Sequence, residues 1–272
     1  MIEAVLRQAD PLAYAVSTRW ALAVLDQSGR YLLVAGALAL LLALGARRLA
    51  PRRLQARRPR PGQVRREIGQ SLGACAVFAS VHAVLALAVS RGAGRMYWEV
   101  DERGLAYLAA SVVGVLVAHD AYFYWTHRLL HRGWWFRRIH RAHHVSTVPT
   151  PWGGFAMHPV EALIHAGIYP LLVFVVPLHV GVVSALPLFV TFYAAWAHSG
   201  HDLFPRQTRG LDAILNGTRE HDDHHRLGQH YYSLYFRFWD RVMGTELAAA
   251  SHPCSSFSTT PAQTTPMRRN AR

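Results

Sequence analysis

The chain has no lysine, only two cysteines, and 16 acidic residues among 272. Cys75 lies in an apolar run and Cys254 near the end, so neither a disulfide framework nor a cysteine-built structural zinc site is expected. A His-Glu-x-x-His helix is also missing, which removes the zinc-protease reading. No Gly-x-Gly-x-x-Gly turn follows a strand-like segment, and there is no fused haem or iron–sulfur motif. Any reducing equivalents must therefore come from a separate carrier. The first 30 residues lack the basic start, apolar core and small-residue cleavage site of a secretory signal.

What the chain does have is apolar residues and arginine. Hydrophobic residues make up 51%, and the mean hydropathy of +0.09 is high for a soluble chain. The formal charge of +13 rests on arginine alone, a usage compatible with a GC-rich bacterial genome. Nine arginines and no acid lie between Arg47 and Arg66, interrupted by Pro51, Pro59 and Pro61. A nucleic-acid arm and a cytoplasmic loop both fit such a run. Its place between two apolar segments favours the loop, because positive loops stay on the inner side of a membrane. No nucleic-acid partner is expected.

Residues 1–30 read as an amphipathic or interfacial segment. Residues 31–111 read as N-terminal membrane spans, Tyr31 to Ala46 and Ile68 to Ser90, joined by the arginine loop 47–66. His82 in the second reads as a helix-packing residue. Gly104 begins a third apolar helix that should leave the membrane near His127, through a belt of Tyr122, Tyr124 and Trp125. Ala162 to Ala197 is thirty-six residues without a charge. At about 1.5 Å of rise per residue this is too long for one span and marginal for two. A helical hairpin, turning at Pro170, Pro177, Gly181 or Pro187, would return His198 to the side of His127. Thr218 reads as a helix cap, Tyr231 to Trp239 as an aromatic packing stripe, and 247–272 as a disordered tail. The expected fold is all-α: an integral membrane helical bundle of about four spans, or two spans plus a hairpin, with a cytoplasmic His-rich helical cap.

The chemistry is concentrated in histidine. His127-x-x-x-His131 is followed by His140-x-x-His143-His144, and far downstream by His198, His201 and His221-x-x-His224-His225. On a helix, positions i, i+3 and i+4 fall within an arc of roughly 100°, so each group should present its imidazoles in one direction. About ten convergent neutral donors point to two metals with open positions, and imidazole suits iron, copper or zinc. Asp120, Glu161, Asp202, Asp222 and Asp223 either orient His rings through their second nitrogens or pair with arginines. A His-rich membrane metal transporter or metal-binding protein is the alternative. It would spread polar ligands through the spans rather than gather them at one end.

The pieces "FYWTHRLLH", "HRAHH", "PTPWGGFAMHPVE", "HSGHD", "LNGTREHDDHH" and "FWDRVMGT" resemble the membrane fatty acid hydroxylase and sterol desaturase superfamily over residues 112–246. The Pro-Thr-Pro turn, His158-Pro159 and Asn216-Gly217 are similar to sterol desaturases, while the His198-Ser-Gly run looks more like sterol methyl oxidases. The resemblance implies two non-haem iron ions, fed by O2 and two electrons, that hydroxylate or desaturate a sterol or fatty acyl C–H bond. By position it implies the ligands His127, His131, His140, His143, His144, His198, His221, His224 and His225, with His201 as a further candidate. His158, His119, His165 and His230 are implied to orient ligands or to pack, and Asp120, Glu161, Asp222 and Asp223 to support the centre. The implied partners are a bilayer lipid, O2, and a ferredoxin or b-type cytochrome with its reductase. Arg128, Arg132, Arg137, Arg138 and Arg141 could dock that carrier or meet anionic lipid. The expected location is a bacterial inner membrane, with the His cluster and C-terminus cytoplasmic.

Overall fold

A computed structural model describes residues 11–203, 210, 211 and 213–247. The first part of the expected interfacial segment and the expected tail beyond 247 lie outside the described residues. So does part of the irregular connection after His201.

The chain is helical. Helices α1 (Pro11–Leu44), α2 (Gln63–Ser90) and α3 (Gly104–Leu130) run before the first His groups. After them come α4 (Pro159–Ala166), α5 (Ile168–Val175), α6 (Val180–Ala197), α7 (Thr218–Leu227) and α8 (Phe238–Val242). Among the described residues, four helical stretches are long and apolar enough to cross a membrane: Val16–Leu44, Gln63–Ser90, Gly104–Leu130 and Val180–Ala197. The chain is a multi-pass membrane protein built as an all-α bundle.

The distribution of side chains is that of a protein dissolved in lipid. Leu25, Leu33, Leu41 and Leu44 point outward from α1. The buried stripe carries the polar groups: Gln27 on α1, Gln63, Glu67 and Ser71 on α2, and Ser111, His119 and Asp120 on α3. Gln63, Glu67, Ser71, Cys75 and Phe78 recur at intervals of three and four, so one face of α2 is buried along most of its length. In hydrocarbon every polar group must find a partner inside the protein, which is why these residues face inward.

The sequence placed the start of the first span at Tyr31. In the structure α1 runs unbroken from Pro11 through the described part of the expected interfacial segment. The charges that looked like a boundary are matched locally, Arg30 pairing with Asp26 at 2.6 Å one turn away and donating to Gln27 Oε1 at 3.0 Å. The hairpin also differs in detail. The apolar run bends after Ala166 and breaks after Val175, and α6 runs straight through Pro187. At the break β2 (Leu178–His179) pairs in parallel with β1 (Met96–Tyr97), and Tyr107 donates to the Pro177 carbonyl at 2.9 Å. This junction lies beside the first turn of α3. At about 1.5 Å per residue, α3 then carries His127 roughly 35 Å away, toward the opposite end of the bundle.

The arginine loop lies at that His end. Leu54 N–H donates to the Gly200 carbonyl and Asp202 N–H to the Arg52 carbonyl. Gln55 Nε2 donates to the Thr147 carbonyl and to Asp222 Oδ1. The turn Pro151–Phe155 is wedged between α1, α2 and α6. Tyr31 and Ser71 both donate to the Trp152 carbonyl, at 2.8 and 3.1 Å, each bond being worth roughly 0.6–2 kcal/mol inside a membrane protein. Gly154 sits so close to α6 that an added Cβ would lie 3.0 Å from the Ala194 carbonyl carbon. A larger residue there would push the turn off the helix that ends at His198.

Candidate metal centre

Nine imidazoles meet in two adjoining groups. His127, His131, His140, His144 and His224 form one, and His143, His198, His221 and His225 the other; within each, the candidate ligand atoms lie within 4.8 Å of one another. His127 and His131 close α3, His198 follows α6, and His221, His224 and His225 lie on α7. The segment after α3 turns at Gly133, whose φ of +39° suits a residue without Cβ. It then passes through a π-helical turn, Phe136–His140, into Arg141–His144. Such turns recur at functional sites because they reset the angular register of a helix.

The expectation that each triplet faces one way needs correction. His140 and His144 join the first group while His143 joins the second, and in α7 His221 and His225 join the second while His224 joins the first. Positions i and i+4 are about 40° apart on a helix, whereas i+3 and i+4 diverge by about 100°. Each triplet therefore supplies its outer pair to one group and its middle residue to the other. Neither group is complete without both segments.

Proton positions follow from the partners. His127 Nδ1 faces the Tyr232 carbonyl at 2.8 Å, His224 Nδ1 the His230 carbonyl at 2.7 Å, and His198 Nδ1 the Ala194 carbonyl at 2.8 Å. His143 Nδ1 faces the Ala156 carbonyl at 3.2 Å, and His140 Nδ1 the Glu161 carboxylate at 2.7 Å. A carbonyl or carboxylate oxygen only accepts, so these Nδ1 atoms carry the protons and each Nε2 presents a bare lone pair. Yet His127 and His140 bring their Nε2 atoms to 3.1 Å, and His143 and His198 to 3.4 Å. Two lone pairs at that distance repel unless a cation lies between them, so the donor set fits metal ions.

Burial reinforces this. Loss of hydration, with repulsion from neighbouring rings, holds His144, His221 and His225 well below the ordinary imidazole value. It brings His143 down to about 4 and His198 and His224 to about 3. The rings are neutral at physiological pH, which is the ligating form.

The remaining candidates take different positions. His201 stands outside both groups, its Nδ1 paired with the Ser199 carbonyl at 2.8 Å. Of the carboxylates, Glu161 reaches an imidazole directly, with His165 Nε2 3.8 Å from the same oxygen. Asp120 Oδ1 accepts the backbone N–H groups of Leu234, Tyr235 and Phe236. Asp222 accepts from Gln55, and burial lifts it to about 6. Asp223 pairs with Arg226 and Asp202 with Arg219, each at 2.6 Å. His158 caps α4 by accepting from Val160 N–H at 3.2 Å. His119 Nδ1 meets the Tyr235 hydroxyl at 2.8 Å, His165 stacks on Phe123, and His230 contributes its carbonyl. The cap of α7 is Gly217, whose N–H donates to Glu220, and Thr218 is the first helical residue rather than the cap.

Two buried acids were missed by sequence reasoning. Asp240 accepts the N–H groups of Tyr232 and Ser233 and the Thr245 hydroxyl, which fixes the segment whose Tyr232 carbonyl aims His127. Glu67 on α2 accepts from Gln63 and Thr150, anchoring the turn beside His198. The closing "FWDRVMGT" resembles the family's run, but nothing in the sequence around its aspartate shows where that side chain points.

Residues 112–245 match the family model for fatty acid hydroxylase. The chain is 33% identical over 185 residues to a lathosterol oxidase of Homo sapiens, covering 67% of this chain and 61% of that protein. It is 31% identical over 185 residues to a Delta(7)-sterol 5(6)-desaturase of Aspergillus fumigatus, covering 67% and 53%. To a methylsterol monooxygenase of the same organism it is 37% identical over 145 residues, covering 51% and 47%. The chain thus spans about half to three-fifths of the length of these relatives. No solved structure matches it. With the nine clustered histidines set in that matched region, the chain belongs to the fatty acid hydroxylase and sterol desaturase superfamily.

Proposed function

We propose that this chain is a membrane-bound, non-haem di-iron oxidoreductase that uses O2 and two electrons to hydroxylate or desaturate a lipid C–H bond. The observation that carries the reading is the convergence of bare Nε2 lone pairs from nine imidazoles in two adjoining groups. A pair of iron ions held by these imidazoles would activate O2 for attack on an unactivated C–H bond. The chain's own residues do the rest. Five ring orientations are fixed by carbonyls and Glu161, so the ligand set is pre-organised. Phe78, Phe123, Phe155 and Met157 line the space beneath the imidazoles and exclude water from it. The relatives' names point to a sterol-like substrate, and the choice between hydroxylation and desaturation rests on sub-ångström placement of the reacting carbon.

The arginine loop supports one side of the membrane over the other. Its hydrogen bonds to Thr147, Gly200 and Asp222 tie it to the His end, and positive loops are retained on the cytoplasmic side. We therefore place the imidazoles on the cytoplasmic face of a bacterial inner membrane, within reach of a soluble or membrane-anchored electron carrier. Arg132, Arg137, Arg138 and Arg141 are exposed there for an acidic carrier. Arg128 is engaged otherwise, folded over Tyr124 and Trp125.

The test is lipid profiling of a host with and without the gene, in air and under anoxia, alongside metal analysis of the purified chain. The reading requires an O2-dependent product that differs by one oxygen or two hydrogens, and iron in the protein. A metal-free preparation with full turnover, or reversed charge at Arg137 and Arg138 with unchanged carrier kinetics, would overturn the metal and docking readings respectively.

A further inference from the structure

Two apolar cavities lie back to back in the His-bearing half. The smaller, about 60 Å³, is the chamber that touches His127, His140, His143 and His198. The larger, about 550 Å³, lies between α3 and α6 and is lined by Leu116, Phe189, Phe192, Trp196, Leu215 and Tyr235 among others, with no charged side chain. They share walls. On α6, Val190 and Ala194 face the chamber while Phe189 and Tyr193 face the pocket; in the segment after α7, Leu234 faces the chamber and Tyr235 the pocket. The partition is Tyr235, buried to 2% exposure, with its hydroxyl on His119 Nδ1 at 2.8 Å and the His119 ring on the chamber side. Asp120, the next residue, clamps the Tyr235 backbone N–H at 2.6 Å.

Close-packed interiors leave few voids larger than a water molecule. A pocket of this size, apolar and built from rigid aromatic rings, has the dimensions of a small-molecule site. Its mouth is on a membrane-spanning helix, where Phe189 and Phe192 remain 39% and 54% exposed. Bilayer hydrocarbon is the solvent at that depth, so the occupant is the apolar part of a membrane lipid. Tyr235 and Phe236, part of the aromatic stripe expected to pack, line this pocket.

We propose that this pocket is the vestibule through which the lipid substrate enters from the bilayer, and that Tyr235, held by His119, sets how far the hydrocarbon advances toward the imidazoles. The proposal rests on the oxidoreductase reading for the word substrate, and on geometry alone for the site. Tyr235 is a positioning residue: it touches the lipid and not the ligand atoms.

The experiment uses the iron-loaded full chain in phosphatidylcholine nanodiscs containing a diazirine-bearing sterol or a diazirine-bearing fatty acid, irradiated and mapped by mass spectrometry. Adducts are expected to concentrate at Phe189, Phe192 and Phe236. An excess of the unlabelled lipid, or Leu215→Trp to fill the pocket, should lower them about tenfold at unchanged iron content, the loss expected when a well-formed apolar site is blocked. Should Leu215→Trp fail to fold, the competition on the natural chain decides alone. Adducts spread evenly over Phe192 and outward residues of other spans, such as Leu33 and Val113, and insensitive to competitor, would overturn the vestibule. Tyr235→Ala should carry adducts through to Val190 and Leu234 in the chamber, whereas Tyr235→Phe should not; an unlabelled chamber in Tyr235→Ala overturns the partition. Focused, competed labelling without turnover leaves the pocket standing and removes the oxidoreductase reading. Turnover with scattered labelling does the reverse.

Discussion

The two imidazole groups differ in number and in support. The first has five rings, three of them with Nδ1 fixed: His127 by the Tyr232 carbonyl, His224 by the His230 carbonyl and His140 by Glu161. The second has four, two of them fixed, while His225 Nδ1 is buried without a hydrogen-bond partner. Four donors already suffice for an ion that prefers nitrogen ligands. Losing one ring leaves the first group four donors and the second only three, so the second has less to spare. This difference, rather than the total number of histidines, should govern how the protein responds to damage.

The largest effect is expected from removing one ring of each group in parallel. His225→Ala reduces the second group to three donors and should leave about one metal equivalent per chain, while His224→Ala reduces the first to four and should keep about two. Both should abolish turnover, His225→Ala because a site that works as a pair fails when one member is lost, and His224→Ala because the ion it keeps has lost one of its orienting ligands. Metal analysis of the two purified variants checks this, and equal metal loss in both would erase the proposed asymmetry.

That asymmetry was not legible in the sequence, although its parts were. The His-x-x-His-His spacing showed that each triplet was a helical unit, and the apolar runs showed that the triplets emerge at one end of a bundle. The exchange of middle residues between groups depends on the relative rotation of two segments that are distant in the chain. A π-helical turn at Phe136–His140 contributes to that rotation, and nothing in its composition announces it. Glu161 could be picked out because it follows His158-Pro159 in a recognisable run. Asp240 and Glu67 could not, since a carboxylate that accepts from backbone N–H groups, as Asp240 does, or from a side-chain amide and hydroxyl, as Glu67 does, looks in sequence like any surface acid. The first span was misjudged for a related reason: Arg30 reads as a boundary until its partners one turn back, Asp26 and Gln27, are seen.

A smaller effect is expected from Glu161→Gln. The amide keeps the size of the side chain but no longer offers a charged acceptor to His140 Nδ1 at 2.7 Å, so the ring loses basicity and a fixed tautomer. Loss of such a partner typically lowers metal affinity or activity by about 10–100-fold. The decline should be confined to the ion of the first group, as measured by competition with a graded series of chelators. Weakening of both ions alike would mean that Glu161 supports the whole cap.

Acid should act in the same direction on both groups, and less sharply. Burial holds His143 at about 4 and His198 and His224 at about 3, below the ordinary value near 6.5 in an unfolded chain. The unfolded state then binds more protons, so the stability these rings contribute is present above about pH 6.5 and is lost as pH falls toward 4 and 3. For chelator-stripped protein in detergent, the thermal midpoint should fall between pH 7 and pH 5. Metal-loaded protein should begin to fall at lower pH, because bound ions compete with protons. A midpoint that rises on acidification would contradict the sign.

The smallest effect is expected at His201, and it bears most directly on whether the groups are unequal. As a fifth donor to the second group, His201 would make the two sites alike. In the structure its Nδ1 is turned to the Ser199 carbonyl, its backbone bridges to Arg53, and its side chain is half-buried at the edge of the cap. His201→Ala should therefore change stability by no more than about 0.5 kcal/mol, as for surface substitutions away from special features. Metal content should not change, and turnover should stay within about twofold. A loss of one metal equivalent in this variant would instead show the ring swinging inward when iron is present, and the second group would then be as well provided with nitrogen as the first.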